Sequence, residues 1–177
     1  MKLEAIKEKY EAKLNDDHIQ RSPTMAAMIE TMDTNVGRVL RTLKDLQLED
    51  DTIIVFTSDN GGNMYDGPDG ANPTNNYPLR GGKGNNYEGG VRVPLIIKVP
   101  GLTQAGSKSK VITSTVDHYE SILELLEIPM PKKMKTDGVS YVSALKGEEY
   151  ERPPIYSTFC HNVFATDNRA NISMRQG

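Results

Sequence analysis

The spacing of apolar positions changes along the chain, and each change predicts an element. Met25, Met28, Ile29, Met32, Val36, Val39, Leu40, Leu43 and Leu46 recur at helical spacing and make one apolar face. Ser22-Pro23 just ahead reads as an N-cap followed by proline in the first turn, so a helix is predicted over 24–47. A short polar helix is predicted over 3–14. After "LEDD" the period disappears, and Thr52 to Thr57 is a compact β-branched run that reads as a strand. A second strand is predicted over 93–99, with Pro94 marking an edge position or the first residue of the paired part. Thr115 to Ile128 reads as another helix, with Val116, Ile122, Leu123, Leu125 and Leu126 on its apolar side and Asp117 near its start. "PPIYSTF" predicts a last strand. A helix running into a strand that is apolar on both faces is the unit of an α/β sheet covered by helices on each side. The fold class predicted is therefore α/β.

Between residues 60 and 90 the pattern breaks into a stretch dense in glycine, asparagine and proline. Irregular segments of that length in compact domains are usually functional or disordered. Composition narrows the field further. A chain of 177 residues is long enough for one domain with a substantial core. Its net charge of −3 gives no general attraction to nucleic acid or to acidic membranes. No apolar run approaches the length of a membrane span. The charged, helix-prone N-terminus does not read as a signal peptide. The single cysteine, Cys160, rules out an internal disulfide and a multi-cysteine zinc site.

The candidate chemistry begins at "FTSDNGG", where the strand discharges into Asp59, Asn60 and two glycines. A strand followed by an Asn-Gly turn is the plain reading. The generic motifs fail here: "YPLRGGKG" lacks the first glycine and the hydroxyl residue of a phosphate loop, and "DNGGNMYDGPDG" misses the spacing of a calcium-binding EF-hand loop. His18, His118 and His161 share no metal-ligand spacing, and His118 reads as a surface or capping residue. Cys160 and His161 are neighbours whose side chains diverge in a strand, which argues against a thiol–imidazole pair. Asp59 and Asn60 at a strand end, then Lys83 among glycines, are what remains. A carboxylate and an amide oxygen suit a hard cation such as calcium or magnesium, and a nearby lysine suits an anionic group. That combination implies a metal-assisted reaction on an oxyanion.

Four stretches carry a resemblance to the sulfatases. "MIETMDTNVGRVLRTLKDLQLEDDTIIVFTSDNGG" resembles the family segment leading into its metal-binding Asp-Asn pair, and "YPLRGGKGNNYEGGVRVPLIIKVPG" resembles its lysine loop and following strand. "STVDHYESILELLEIPMPKKMKTDGVSYVSALKG" is similar to the helix and Asp-Gly turn that come next, and "RPPIYSTFCHNVFATDNRANISMRQG" to the lead-in to the C-terminal subdomain. The resemblance implies an alkaline-phosphatase-like sheet flanked by helices, with residues 1–177 as the later part of the catalytic domain. It implies that Asp59 and Asn60 are metal ligands, with calcium expected and magnesium second. Lys83 matches the lysine that contacts the sulfate group, and His161 lies where relatives place histidines near the substrate pocket. Arg80, Glu88 and Arg92 match recurrent positions and read as organisers of the loop. The implied substrate is a sulfate ester, aryl or carbohydrate.

Departures from the family pattern are as informative. Sulfatases use a cysteine or serine in a Cys/Ser-x-Pro-x-Arg motif, converted to formylglycine, as nucleophile, and these 177 residues contain no such motif. The family's early Asp-Asp ligands are also missing. The chain is therefore expected to be an internal or C-proximal portion, inactive by itself and prone to self-association. Two alternatives stand beside it. One is a truncated protein that retains metal or anion binding without catalysis. The other is a phosphatase or phosphodiesterase of the same superfamily, which Asn60 argues against because those relatives carry Asp-His for zinc. Complete relatives are often exported or lysosomal.

Overall fold

The structure is a computed structural model that describes residues 3–64, 67, 69–70, 74–159 and 171–176. Cys160 and His161 lie outside the described residues. The long apolar stripe forms the helix α2, Pro23–Asp45, and the polar segment before it forms α1, Leu3–Glu11. Ser22 caps α2 as its sequence suggests: its hydroxyl accepts from the Met25 N–H at 3.0 Å, and Pro23 opens the first turn, where its missing N–H costs nothing. The two helices pack on each other, and Ala27 of α2 and Ile6 of α1 are both buried. At the rim, Lys9 Nζ and Tyr10 Oη both donate to Glu30, at 2.5 and 2.7 Å. The pairing with Lys9, then with Tyr10, holds the Glu30 carboxyl below its ordinary value.

Two apolar runs form the strands β1, Ile54–Thr57, and β2, Leu95–Lys98, so β2 begins directly after Pro94. They pair antiparallel, with Ile54 opposite Lys98 and Thr57 opposite Leu95. The expectation that both would be buried on two faces does not hold among the described residues. Strands are buried only where a second layer covers them, and no described helix packs on this ribbon. Ile96 is accordingly 63% exposed. A second antiparallel ribbon joins β3, Ile155–Phe159, to β4, Asn171–Arg175. The sequence reading placed β3 and missed β4.

Three short or shifted helices complete the described chain: α3, Glu88–Val91; α4, Asp117–Leu125; and α5, Val142–Lys146. Helix α4 is turned differently from its apolar pattern. Its buried residues are Asp117 and Ser121, whereas Ile122 and Leu126 are exposed. The reason is a hydrogen-bonded knot. The Asp117 carboxylate accepts from the backbone N–H groups of Ser114 at 2.6 Å and Val139 at 3.0 Å, and from Arg152 Nη1 at 2.5 Å. Ser121 Oγ donates to the Asp117 carbonyl at 2.6 Å and accepts from the Tyr141 N–H at 3.0 Å. The knot ties α4 to the start of α5 and to the approach to β3. Buried Tyr141 and Val142 supply the apolar part of that contact.

Candidate functional site

Strand β1 delivers Ser58, Asp59 and Asn60 to its carboxyl end, and the turn is fixed locally. Ser58 Oγ donates to the Asn60 carbonyl at 3.0 Å, and Asn60 Nδ2 donates to the Gly61 carbonyl at 2.9 Å. The Asp59 side chain is left exposed. Gly61 is buried, and its N–H donates to the Gly90 carbonyl at 2.9 Å. A Cβ on Gly61 would come within 1.8 Å of the Gly89 carbonyl oxygen. Only glycine permits backbone to meet backbone that closely. The turn after β1 is thereby seated on the start of α3.

The lysine loop reaches the same place. Lys83 donates its backbone N–H to the Gly62 carbonyl at 2.9 Å, and the Gly89 N–H donates to the Arg80 carbonyl at 2.8 Å. Asp59, Asn60 and Lys83, well separated in sequence, therefore stand on two arms joined by a direct backbone hydrogen bond. The residues read as loop organisers take part in exposed contacts. The Arg80 guanidinium lies 3.9 Å from the centre of the Tyr87 ring, in reach of a cation–π attraction. Glu88 faces Arg92 at 3.5 Å and also pairs with Arg175 of β4. Asn86 Nδ2 donates to the Ser157 carbonyl at 3.1 Å, which connects the lysine loop to β3.

The donor set at the end of β1 suits a hard cation in kind, because both Asp59 and Asn60 offer oxygen. It is short in number. Among the described residues there is no group of three or more His, Cys, Asp or Glu side chains that could hold a metal, and calcium takes roughly six to eight oxygens. His161 falls outside the described residues. His118 has a structural neighbour: its Nδ1 lies 3.0 Å from the Tyr141 hydroxyl, with the rings edge to face at 5.7 Å. A shallow depression of about 410 Å³, lined by Asn35, Arg38, Val39, Thr42 and Leu43, lies along α2 and shares no residue with this site.

Sequence reasoning missed two asparagines and an aspartate that hold the loop in place. Asn75 exchanges hydrogen bonds with Gln20, its N–H donating to Oε1 at 3.1 Å while Gln20 Nε2 donates to its carbonyl at 2.5 Å. Asn76 reaches both arms of the site. Asp69, side chain 9% exposed, accepts from the Ser22 and Thr24 hydroxyls at 2.5 and 2.8 Å and from the Thr24 N–H at 3.0 Å, with Lys7 Nζ at 4.0 Å. Burial pushes the Asp69 carboxyl up, but those hydrogen bonds and the lysine outweigh it and hold it below its ordinary value. The only sequence signal for this clamp is the asparagine density of the loop.

The family model "Sulfatase" matches residues 3–128. A sulfatase of Formosa agariphila is 38% identical over 167 residues, which is 88% of this chain and 29% of that protein. Human steryl-sulfatase is 37% identical over 129 residues, covering 68% of this chain and 21% of the enzyme. Among solved structures, Ps i-CgsB in complex with k-i-k-neocarrahexaose superimposes with a TM-score of 0.76 at 30% identity, over 89% of this chain and 33% of its own. The chain thus spans about a third or less of the length of these relatives.

Proposed function

Because the chain belongs to the sulfatase family, we propose that it carries the later part of a sulfuric ester hydrolase site. In that reading Asp59 and Asn60 contribute oxygen ligands to a calcium ion, with magnesium the second choice. Bound there, the cation would polarise the oxygens of a sulfate ester. Lys83 contacts the sulfate group and balances its charge, and His161 contributes to the substrate pocket. The substrate class is a sulfate ester of an aryl or carbohydrate alcohol. The observation that carries the reading is the 2.9 Å hydrogen bond from the Lys83 N–H to the Gly62 carbonyl, which puts the lysine arm against the Asp-Asn arm.

The 177 residues hold no Cys/Ser-x-Pro-x-Arg sequence from which a formylglycine nucleophile could be made. Anion contacts without a nucleophile leave only residual catalysis. The purified chain should therefore bind inorganic sulfate weakly in the presence of calcium and hydrolyse no chromogenic aryl sulfate above background. Lys83→Ala should abolish the sulfate binding. Turnover by the chain alone that disappears with Lys83→Ala would refute its inactivity. Sulfate binding indifferent to Lys83→Ala and to calcium would refute the site.

A further inference from the structure

The structure assigns Asn76 as the positioning residue that sets the separation between the Asp59–Asn60 arm and the Lys83 arm, and this rests on the functional reading above. Its Nδ2 donates to the Gly62 carbonyl and to the Gly81 carbonyl, both at 3.0 Å. A side-chain amide nitrogen has two hydrogens, so this one is fully used, one on each arm. The orientation of the amide is dictated by its neighbours: both are carbonyl oxygens, which only the NH₂ end can satisfy. The Gly62 oxygen is likewise fully used, since its second lone pair takes the Lys83 N–H at 2.9 Å.

Steric fit points the same way. A Cβ on Gly62 would lie 2.3 Å from Asn76 Oδ1, and one on Gly82 would lie 2.8 Å from Asn76 Nδ2. The amide fills the gap between the two arms, and each arm presents a glycine to it. The backbone of Asn76 is held from outside by the Gln20–Asn75 exchange and by the Leu79 N–H, which donates to the Asn76 carbonyl at 2.8 Å. The strut is therefore anchored at its base and loaded at its tip. Asn76 touches no reacting group. It acts through Gly62 and Gly81, so its removal should move Lys83 relative to Asp59 without touching either.

The test uses the full chain with Asn76→Ala, Asn76→Asp and Lys83→Ala. Amide hydrogen exchange at Lys83 is read against that at Tyr141, whose N–H sits in the separate Asp117–Ser121 knot and reports whether the rest is folded. Both Asn76 variants should speed exchange at Lys83 by about tenfold, as expected when two carbonyls, one on each arm, lose their shared donor and the arms separate, and leave Tyr141 unchanged. Binding of inorganic sulfate with calcium present should fall about tenfold in Asn76→Ala and further in Asn76→Asp, which sets an acceptor against two acceptors. Acidification protonates the introduced carboxyl and restores one donor, so the Asn76→Asp defect relative to wild type should shrink at lower pH. Unchanged Lys83 exchange in both variants overturns the inference, whatever sulfate does. Faster exchange with unaltered sulfate binding, where Lys83→Ala does weaken it, also overturns it. If Lys83→Ala has no effect on sulfate, the functional reading fails and the exchange ratio alone decides the role of Asn76.

Discussion

Replacing Asp117 by asparagine strands a cation in a nearly closed pocket. Asp117 has no exposed surface, and the Arg152 side chain is 11% exposed. The carboxylate serves three donors: two backbone N–H groups and the guanidinium. Asparagine has one acceptor oxygen, so one or more of the three is left without a partner, and the positive charge of Arg152 loses its counterion. Breaking a buried pair by removing one partner costs about 3–5 kcal/mol. The residual exposure of Arg152 gives it some water, which puts the expected loss near the lower bound, about 3 kcal/mol or a fall of roughly 150-fold in the folded-to-unfolded ratio. Domains have only about 5–15 kcal/mol in total, so α4, α5 and the approach to β3 should melt first. The assay is urea unfolding of Asp117→Asn, Arg152→Met and the double variant. Removing the charge from both sides should cost less than the sum of the single changes by about 1–3 kcal/mol. A loss below about 1 kcal/mol for Asp117→Asn, or additivity within about 0.5 kcal/mol, would refute the reasoning.

Three further outcomes follow from the same contacts. Burial raises the phenols of Tyr141 and Tyr150, so in an ultraviolet difference titration they should lag behind exposed tyrosines. What they contribute to stability is present below the ordinary phenol value of about 10 and lost as pH rises through their raised values; simultaneous ionisation in the folded chain would contradict this. The lowered Asp69 carboxyl has the opposite sign: its contribution holds above the ordinary value of about 3.9 and is lost as pH falls through the folded one. The Thr24 amide resonance should shift only in that acid window and not at all in Asp69→Asn. Finally, the chain exposes 13219 Å², against about 8,600 Å² expected for a compact monomer of its mass, with Val39 on α2 and Ile96 on β2 among the uncovered residues. It should self-associate and bind a hydrophobic dye; a monomer in sedimentation with a sharp melt and no dye binding would refute that.

The elements legible in the sequence are those whose cause is local. Helix α2 was legible because its cap, its N1 proline and its apolar spacing lie within one segment, and β1 and β2 because β-branched runs leave little else to form. The direction in which β1 and β2 pair was not local. Both runs are apolar throughout, which resembles a buried parallel strand, and nothing within either run marks the antiparallel pairing they adopt. Helix α4 misled for a related reason. Its apolar residues suggested the buried side, yet burial follows Asp117, whose counterion Arg152 is 35 positions away. No periodicity in 115–128 encodes that partner.

The candidate site divides along the same line. Asp59, Asn60 and Lys83 were legible as residue types because a carboxylate, an amide oxygen and a lysine announce their chemistry, and the family resemblance ordered them. What was illegible was how they meet. The joint is made of residues without announced chemistry: Gly61 against Gly89, Gly62 against Lys83, and an Asn76 amide wedged between Gly62 and Gly82. In sequence a glycine pair reads as a turn and an asparagine as loop filler. In the fold the glycines are contact surfaces, chosen because backbones lie closer than any Cβ allows, and the asparagine side chain donates to both arms. A search for candidate residues confined to ionisable types would therefore find Asp59 and Lys83 but pass over Asn60 and the glycine and asparagine joint that holds the two arms together.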